Sequence, residues 1–345
     1  MASPLPQQGE IAMSSNRLPI VKGKKILITG GLGFIGSNLA HLCVKLGAEV
    51  TIYDCLDPRS GGRLYNIEDI QRDLELAFQD IQNFDQLANH IVGKDILINC
   101  AASTSHPFSM REPWLDQDVN SRGVINLLEA ARRFNHDIRF VHVGTSTQLG
   151  PLHYSPADEK HPEFPADIYS AHKSVSEKYV LIYAKSYNMC ATVIRLSNTY
   201  GPRASIHSPE FTFNNYFIGL AMQNKPITVF GDGAQLRNVL YVQDACEALL
   251  TAACASCAFG ETYFAVGDDH YSIAELAHAT VRHMGSGEVI FVPWPELRKR
   301  IDIGNAIISN VKIKKELGWK PTTPLDDGLR LTREFYESRM CHYLG

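Results

Sequence analysis

The sequence predicts an α/β fold, a doubly wound parallel sheet, on three observations. A short apolar run, Lys24-Lys25-Ile26-Leu27-Ile28-Thr29, opens directly into a glycine turn. Strand-like and helix-like segments then alternate along most of the chain. A second strand-like run, Glu49-Val50-Thr51-Ile52-Tyr53, ends at Asp54, about 20 residues past the turn.

The first run is apolar enough for a strand buried on both faces. In Gly30-Gly31-Leu32-Gly33-Phe34-Ile35-Gly36, the spacing of Gly31, Gly33 and Gly36 fits Gly-x-Gly-x-x-Gly, with Gly30 overlapping it. Such glycines permit a tight turn, close backbone approach to a pyrophosphate, and close helix–strand packing. Ser37-Asn38-Leu39-Ala40-His41-Leu42 continues as a helix, and its first N–H groups, around Phe34 and Ile35, would receive the phosphates. Asp54 stands where the adenosine ribose hydroxyls would bind. Its charge favours NAD over NADP by repelling a 2′-phosphate.

Further along, a helical stretch is expected at 64–70, a strand at Leu74–Phe78, then Asp80-Ile81 and a helix at Phe84–Ile91. The strand at 95–99 runs into Cys100-Ala101-Ala102, where the small Ala101 and Ala102 leave room for a cofactor against the backbone. A long helix at 113–134 begins with a proline suited to its first turn. The strand at 138–143 leads to Gly144-Thr145-Ser146-Thr147, and a helix containing Tyr169 runs to about Tyr187. Another strand follows at Ala191–Leu196. Beyond Ser197, prolines mark loops around a helix at Phe213–Met222, and 227–230 and 239–250 are expected to return to the main sheet. The expected organisation is a flexible leader (1–21), a dinucleotide domain (22–196 plus about 227–259), and a smaller C-terminal α/β lobe (about 197–226 plus 260–345).

Tyr169-Ser170-Ala171-His172-Lys173 places a phenol and an ammonium four residues apart, on one face of a helix. The ammonium favours a phenolate whose ordinary pKa is about 10, so Tyr169 becomes a usable base near neutral pH.

Composition agrees. With 345 residues, 45% hydrophobic and 20% charged, the chain can bury one large core or two intimate ones. A net charge of −4 lacks the basic footprint of a nucleic-acid binder. No apolar run approaches a membrane span or a signal-peptide core, so no membrane partner and a cytoplasmic location are expected. The eight scattered cysteines suit a reducing compartment. Cys254-Ala255-Ser256-Cys257 lacks two further ligands at suitable spacing, so no metal is expected.

Several ordered motifs together carry a family resemblance. They are Thr29 to Gly36, the Tyr169/Lys173 pair, Asn198-Thr199-Tyr200-Gly201-Pro202-Arg203, Phe230-Gly231-Asp232-Gly233 with Arg237, and Leu317-Gly318-Trp319-Lys320-Pro321. Over about residues 22–340 the chain resembles the extended short-chain dehydrogenase/reductases that act on nucleotide-diphosphate sugars, especially the UDP-glucose 4-epimerase-like branch. The resemblance implies a Rossmann-type fold, NAD as cofactor, a nucleotide-diphosphate sugar as substrate, and a role in polysaccharide assembly. It casts Thr145, Tyr169 and Lys173 as the catalytic set, with Lys173 also on the nicotinamide ribose. Asp80 and Ile81 take the adenine-contacting places, and Asn198 and Arg237 those that hold the pyrophosphate. Ser103, Thr104, Ser105 and His106 line the sugar site, next to Thr145 and Ser146. A homodimer through helices at about 113–134 and 167–187 is implied as well.

The departures bear on the reaction. The 4,6-dehydratases carry Asp-Glu directly after the catalytic threonine, where this chain has Ser146 and Thr147, neither an acid/base at neutral pH. The decarboxylases' glutamate and the 3,5-epimerases' cysteine are also missing from 144–150, and Leu149, Asn238 and Asn310 replace commoner residues. A hydride shuttle with Tyr169 as acid/base, that is 4-epimerisation, fits this set. Three alternatives stay open: a dehydratase with acids supplied from elsewhere, a 2-epimerase, and a non-catalytic NAD-binding protein.

Overall fold

The structure is a computed structural model that describes residues 18–296 and 303–344. Most of the expected leader (1–17) therefore lies outside the described residues. Its last residue, Val21, is 1% exposed and packs in the main core, so the folded domain takes in part of that segment.

Six strands form in succession: β1 (Lys25–Thr29), β2 (Glu49–Asp54), β3 (Leu74–Phe78), β4 (Ile96–Asn99), β5 (Arg139–Thr145) and β6 (Ala191–Leu196). β7 (Asn198–Tyr200), β8 (Pro226–Phe230) and β9 (Leu236–Tyr241) leave this sheet, and β10 (Thr262–Ala265) returns to it. The sheet order is β10-β6-β5-β4-β1-β2-β3, parallel throughout. The order reverses between β4 and β1, so a crevice opens at their carboxyl ends, where such sheets bind ligands.

The apolar strands are buried on both faces because helices cover both. Ile26 and Ile28 point to one side, with residues of α1 (Phe34–Lys45) and α8 (Val242–Cys254). Leu27 points to the other, with α2 (Phe84–Ile91), α5 (Gly123–Phe134) and α6 (Ile168–Tyr187). A third core, around Tyr200, Ile218, Leu276, Leu329 and Tyr336, builds the smaller lobe. There β7 and β11 (His270–Ser272) flank β9, and β8 pairs with β12 (Glu288–Val292).

Three expectations about the main sheet are corrected. β8 joins β12 in the lobe, and 239–250 divides at Tyr241 between β9 and the covering helix α8. The edge place belongs to β10, which the sequence put in the lobe. Its four residues are buried on both faces, so no alternation marks them as a strand. The helix expected at 64–70 is one short 3-10 turn, Leu64–Ile67, with a second just beyond it at Gln71–Asp73.

The long helix at 113–134 is also interrupted. It consists of Pro113–Gln117, a π turn at Asp118–Arg122, and α5. A Cβ at Gly123 would lie 2.6 Å from Ile81 Cδ1, so the glycine lets Ile81 pack directly on the helix backbone.

Candidate active site

The glycine turn has the shape its spacing predicts. Gly30 sits at φ +66°, and a Cβ there would lie 2.6 Å from the Ala101 nitrogen. A Cβ on Gly36 would lie 2.3 Å from the Gly30 carbonyl oxygen, whereas one on Gly33 would meet only that oxygen, at 3.3 Å. The turn is thus tight inward and open at Gly33. α1 starts at Phe34 with no side-chain cap and no acid in its first turn, so the N–H groups of Phe34 and Ile35 meet no carboxylate of their own helix. A narrow glycine cradle at an uncapped helix start fits a dinucleotide pyrophosphate.

Asp54 does more than its position at the strand end suggested. Its Oδ2 accepts from the Leu32 N–H at 3.0 Å and its Oδ1 from the Leu56 N–H at 2.8 Å. Burial pushes its carboxyl up, and these two N–H donors partly oppose that. The carboxylate expected to meet the ribose therefore also fixes the glycine turn. Asp80 accepts from the Gln82 N–H at 2.8 Å, and Ile81 is buried in the core under α5.

Thr145, Tyr169 and Lys173 come together at the carboxyl end of β5. Asp167 caps α6 by accepting from the Ser170 N–H at 2.8 Å. The next turns put Tyr169 and Lys173 on the buried face of the helix, 8% and 3% exposed. Burial pushes the Tyr169 phenol up, Asp116 and Asp167 add to that, and the hydrogen bond from Thr145 pulls it back. The sequence led us to expect a lowered phenol. The difference has a geometric cause: Lys173 Nζ donates to the Val143 carbonyl at 2.6 Å and lies 3.1 Å from His142 Nε2. Burial lowers the Lys173 ammonium to about 8.

His142, Asn99 and Thr29 belong to this arrangement, and sequence reasoning missed all three. Asn99 Oδ1 accepts from Thr29 Oγ1 at 2.7 Å and from the Ala101 N–H at 3.2 Å, so its Nδ2 is left to donate to His142 Nδ1 at 3.0 Å. Burial holds His142 well below its ordinary pKa, hence neutral, with its proton on Nε2 donated to Ser176 Oγ at 3.2 Å; the Lys173 ammonium nearby is itself only a donor and makes no hydrogen bond to that N–H. In the sequence it is one histidine in an apolar strand, and nothing marks it.

The wall expected to line the sugar site is also built. Asn120, on the π turn, accepts from the Ser103 N–H at 3.2 Å and donates to the Ser103 carbonyl at 2.8 Å. Thr104 is exposed, while Ser105 is buried and donates to Glu210. His106 opens the short helix α3 (His106–Arg111), and its ring stands edge-on to Tyr169 with centroids 4.7 Å apart. In the lobe, Asn198 pairs with Val239 across β7 and β9, which brings it near Arg237 on the same strand. Asn198 Nδ2 donates to the Asn238 carbonyl at 3.1 Å, and Arg237 donates to the Leu236 and Gly304 carbonyls.

Residues 27–332 match the family model described as GDP-mannose 4,6 dehydratase. The chain belongs to that family, the extended short-chain dehydrogenase/reductases that act as nucleotide-sugar epimerases and dehydratases. It is 30% identical to a UDP-glucose 4-epimerase of Mycolicibacterium smegmatis over 321 residues, covering 91% of this chain and 99% of the relative. Among solved structures, a Thermotoga maritima UDP-glucose 4-epimerase with UDP-glucose superposes with a TM-score of 0.83 at 26% identity, over 92% of this chain and 99% of the other. A Bacillus anthracis dTDP-glucose 4,6-dehydratase in complex with NAD superposes with a TM-score of 0.80 at 27% identity, over 92% and 97%. The family is NAD-dependent.

Within this family frame, the places just after Thr145 hold hydroxyls. Thr147 Oγ1 is 3.1 Å from Thr145 Oγ1 and accepts from Ser170 Oγ at 2.9 Å, while Ser146 is half-buried. Behind them lies a buried ion pair. Arg195 donates to both Glu177 oxygens, at 2.7 and 2.6 Å, and Gln148 Nε2 donates to Glu177 at 2.9 Å. Among the described residues no cluster of side chains could hold a metal, all eight cysteines are free, and no helix is long and apolar enough to cross a membrane.

Proposed function

We propose that the protein is an NAD-dependent nucleotide-sugar 4-epimerase that works through a transient 4-keto sugar. One observation supports this over dehydration: Ser146 and Thr147 sit beside Thr145 where a dehydratase of this family would carry acids. Neither hydroxyl can move a carbon-bound proton at neutral pH.

The cofactor would lie along the crevice, with the pyrophosphate at Gly33, Phe34 and Ile35, the adenosine ribose at Asp54, adenine near Asp80 and Ile81, and the nicotinamide ribose at Lys173. Bound there, it supplies a hydride acceptor that later returns the hydride. Tyr169 takes the proton of the carbon 4 hydroxyl and returns it to that oxygen after the sugar has turned its other face to the hydride donor. Thr145 orients that hydroxyl and Tyr169 together, so a small displacement of either would lower the rate strongly. Asn198 and Arg237 anchor the sugar nucleotide's pyrophosphate, and Thr104, Ser105 and Ser146 line the sugar. The side chains of Val175, Ile182 and Tyr187 are exposed along α6, which supports a homodimer pairing through that helix; a monomer by light scattering would rule it out.

The deciding experiment incubates the protein with UDP-, GDP-, CDP- and dTDP-hexoses and follows the sugar by NMR. Inversion at carbon 4 with no net redox is expected. A 6-deoxy-4-keto product would overturn the reading.

A further inference from the structure

We propose that His106, oriented by Asp167, is a second acid/base of this site, acting on a hydrogen bonded to carbon 3 or carbon 5 of the sugar. The inference rests on the 4-keto reading above.

The geometry starts at the docking of α3 on α6. The Tyr169 N–H donates to Ser109 Oγ at 3.0 Å, and that hydroxyl donates to the His106 carbonyl at 2.8 Å. His106 is therefore fixed to the turn that carries Tyr169. Its Nδ1 lies 2.7 Å from Asp167 Oδ2, and the other Asp167 oxygen caps α6. Burial is the largest single influence and would push the Asp167 carboxyl up, but His106 and the Ser170 donors together outweigh it and the group is held low. An ionised carboxylate only accepts, so Nδ1 faces it with its N–H, and the form of the ring that can act as a base has its lone pair on Nε2. Among the described residues Nε2 has no hydrogen-bond partner. The His106 side chain is 34% exposed, and its ring meets the Tyr169 ring at 70°. A base held by a carboxylate, with its free nitrogen unengaged, thus stands against the residue that faces carbon 4.

A hydride shuttle at carbon 4 needs only Tyr169. The ketone it creates, however, acidifies the hydrogens on the neighbouring carbons. Nε2 takes one of these protons, the C–H bond breaks, and its electron pair forms a carbon–carbon double bond as the carbonyl becomes an oxyanion. Tyr169, already holding the proton of the carbon 4 hydroxyl, donates a hydrogen bond to that oxyanion. Reprotonation of the carbon reverses each change, so the sugar loses no electrons in this step. The exposed imidazole exchanges its proton with water in between, and solvent hydrogen enters the carbon.

The test supplies a ready-made dTDP-4-keto-6-deoxyhexose, which bypasses oxidation, and a UDP-hexose in parallel, both in D2O. Proton NMR and mass spectrometry read deuterium at carbons 3 and 5. Wild-type protein should exchange the ketone's hydrogen, and His106→Gln should slow this by about 10²-fold or more. Asp167→Asn keeps a good helix cap and should slow exchange by a smaller factor. Both variants must keep the wild-type melting temperature and NAD affinity. No exchange with wild-type protein, or equal exchange in a folded His106→Gln, overturns the proposal. If the UDP-hexose is epimerised and neither sugar takes up deuterium, the 4-epimerase reading stands and His106 has no such role. If the ketone exchanges through His106 while no hexose is oxidised, the reverse holds.

Discussion

The Lys173 ammonium stands 3.1 Å from His142 Nε2, at the end of a buried chain that runs through Asn99 to Thr29. Thr29 is the residue before the glycine turn. A polar chain inside an apolar core thus links the proposed cofactor cradle to the proposed catalytic helix, which the His142 Nε2–H reaches at Ser176 Oγ, 3.2 Å away.

The same burial has a pH consequence. Lys173 is lowered from 10.5 to about 8, so below that pH the folded protein keeps its ammonium in a poor environment, whereas the unfolded chain does not. Between the two values the unfolded chain binds more protons, and stability rises with pH. Lys173→Met should therefore stabilise the protein at pH 7 by up to about 3 kcal/mol. That gain should fade as pH rises from about 8 towards 10.5. Turnover should drop by ~10²-fold or more. Urea unfolding at neutral and alkaline pH, with assays alongside, checks both.

Tyr169→Phe should abolish turnover by about 10³-fold while NAD affinity is retained, because only the transferred proton is removed. Thr145→Val should lose less, about 10-fold to 10²-fold, since orientation and one hydrogen bond go. Wild-type-like turnover of Tyr169→Phe would remove the proposed base.

Asp54→Asn tests the double role of that carboxylate. NAD affinity should weaken about 10-fold, the worth of one charge-assisted hydrogen bond, and discrimination against NADP should narrow. Titration calorimetry with both dinucleotides measures the two effects. A melting temperature lowered even without dinucleotide would report the loosened Leu32 and Leu56 bonds.

Gly36→Ala separates helix propensity from close packing. In an open helix the change would stabilise by up to about 1 kcal/mol. Here the new Cβ would meet the Gly30 carbonyl at 2.3 Å, so the turn must shift. Loss of NAD binding with a lowered melting temperature is expected.

Arg195→Met should be the most destabilising of these changes. It strips the two-point partner from Glu177, which is 1% exposed and is left with only the Lys178 ammonium, 3.5 Å away, as counter-charge; about 3–5 kcal/mol is expected for breaking a buried pair. Denaturant unfolding reads it directly.

How much of this was legible follows from what each signal encodes. The buried strands β1, β2 and β6 read clearly because short runs rich in Ile, Leu and Val, buried at four to six successive positions, need cover on both faces. The Asp167 cap and the αL residue Asn188 bound α6 near the ends read from the sequence. Strand β10 did not read, because a four-residue run buried on both faces resembles any short apolar segment. The glycine spacing gave the cradle, but Asp54's grip on Leu32 depends on how β2 ends beside the turn. The Tyr169–Lys173 spacing gave a shared helix face and nothing about depth. Depth turned the expected pKa shift of Tyr169 upward and drew Lys173 to Val143. His106 and Asp167 lie 61 residues apart and meet only because α3 docks on α6.

The late arrival of β10 shapes how this molecule can be made. The glycine turn, Thr145, Tyr169 and Lys173 all precede residue 197, so a nascent chain holds the proposed chemistry long before synthesis ends. At that stage β6, buried along its whole length in the finished protein, is a bare apolar edge that waits for residues 262–265. Such an edge templates pairing with other chains. A truncated chain ending after β6 would carry every proposed catalytic group and still be expected to aggregate, and on the ribosome the strand needs shelter until its neighbour emerges.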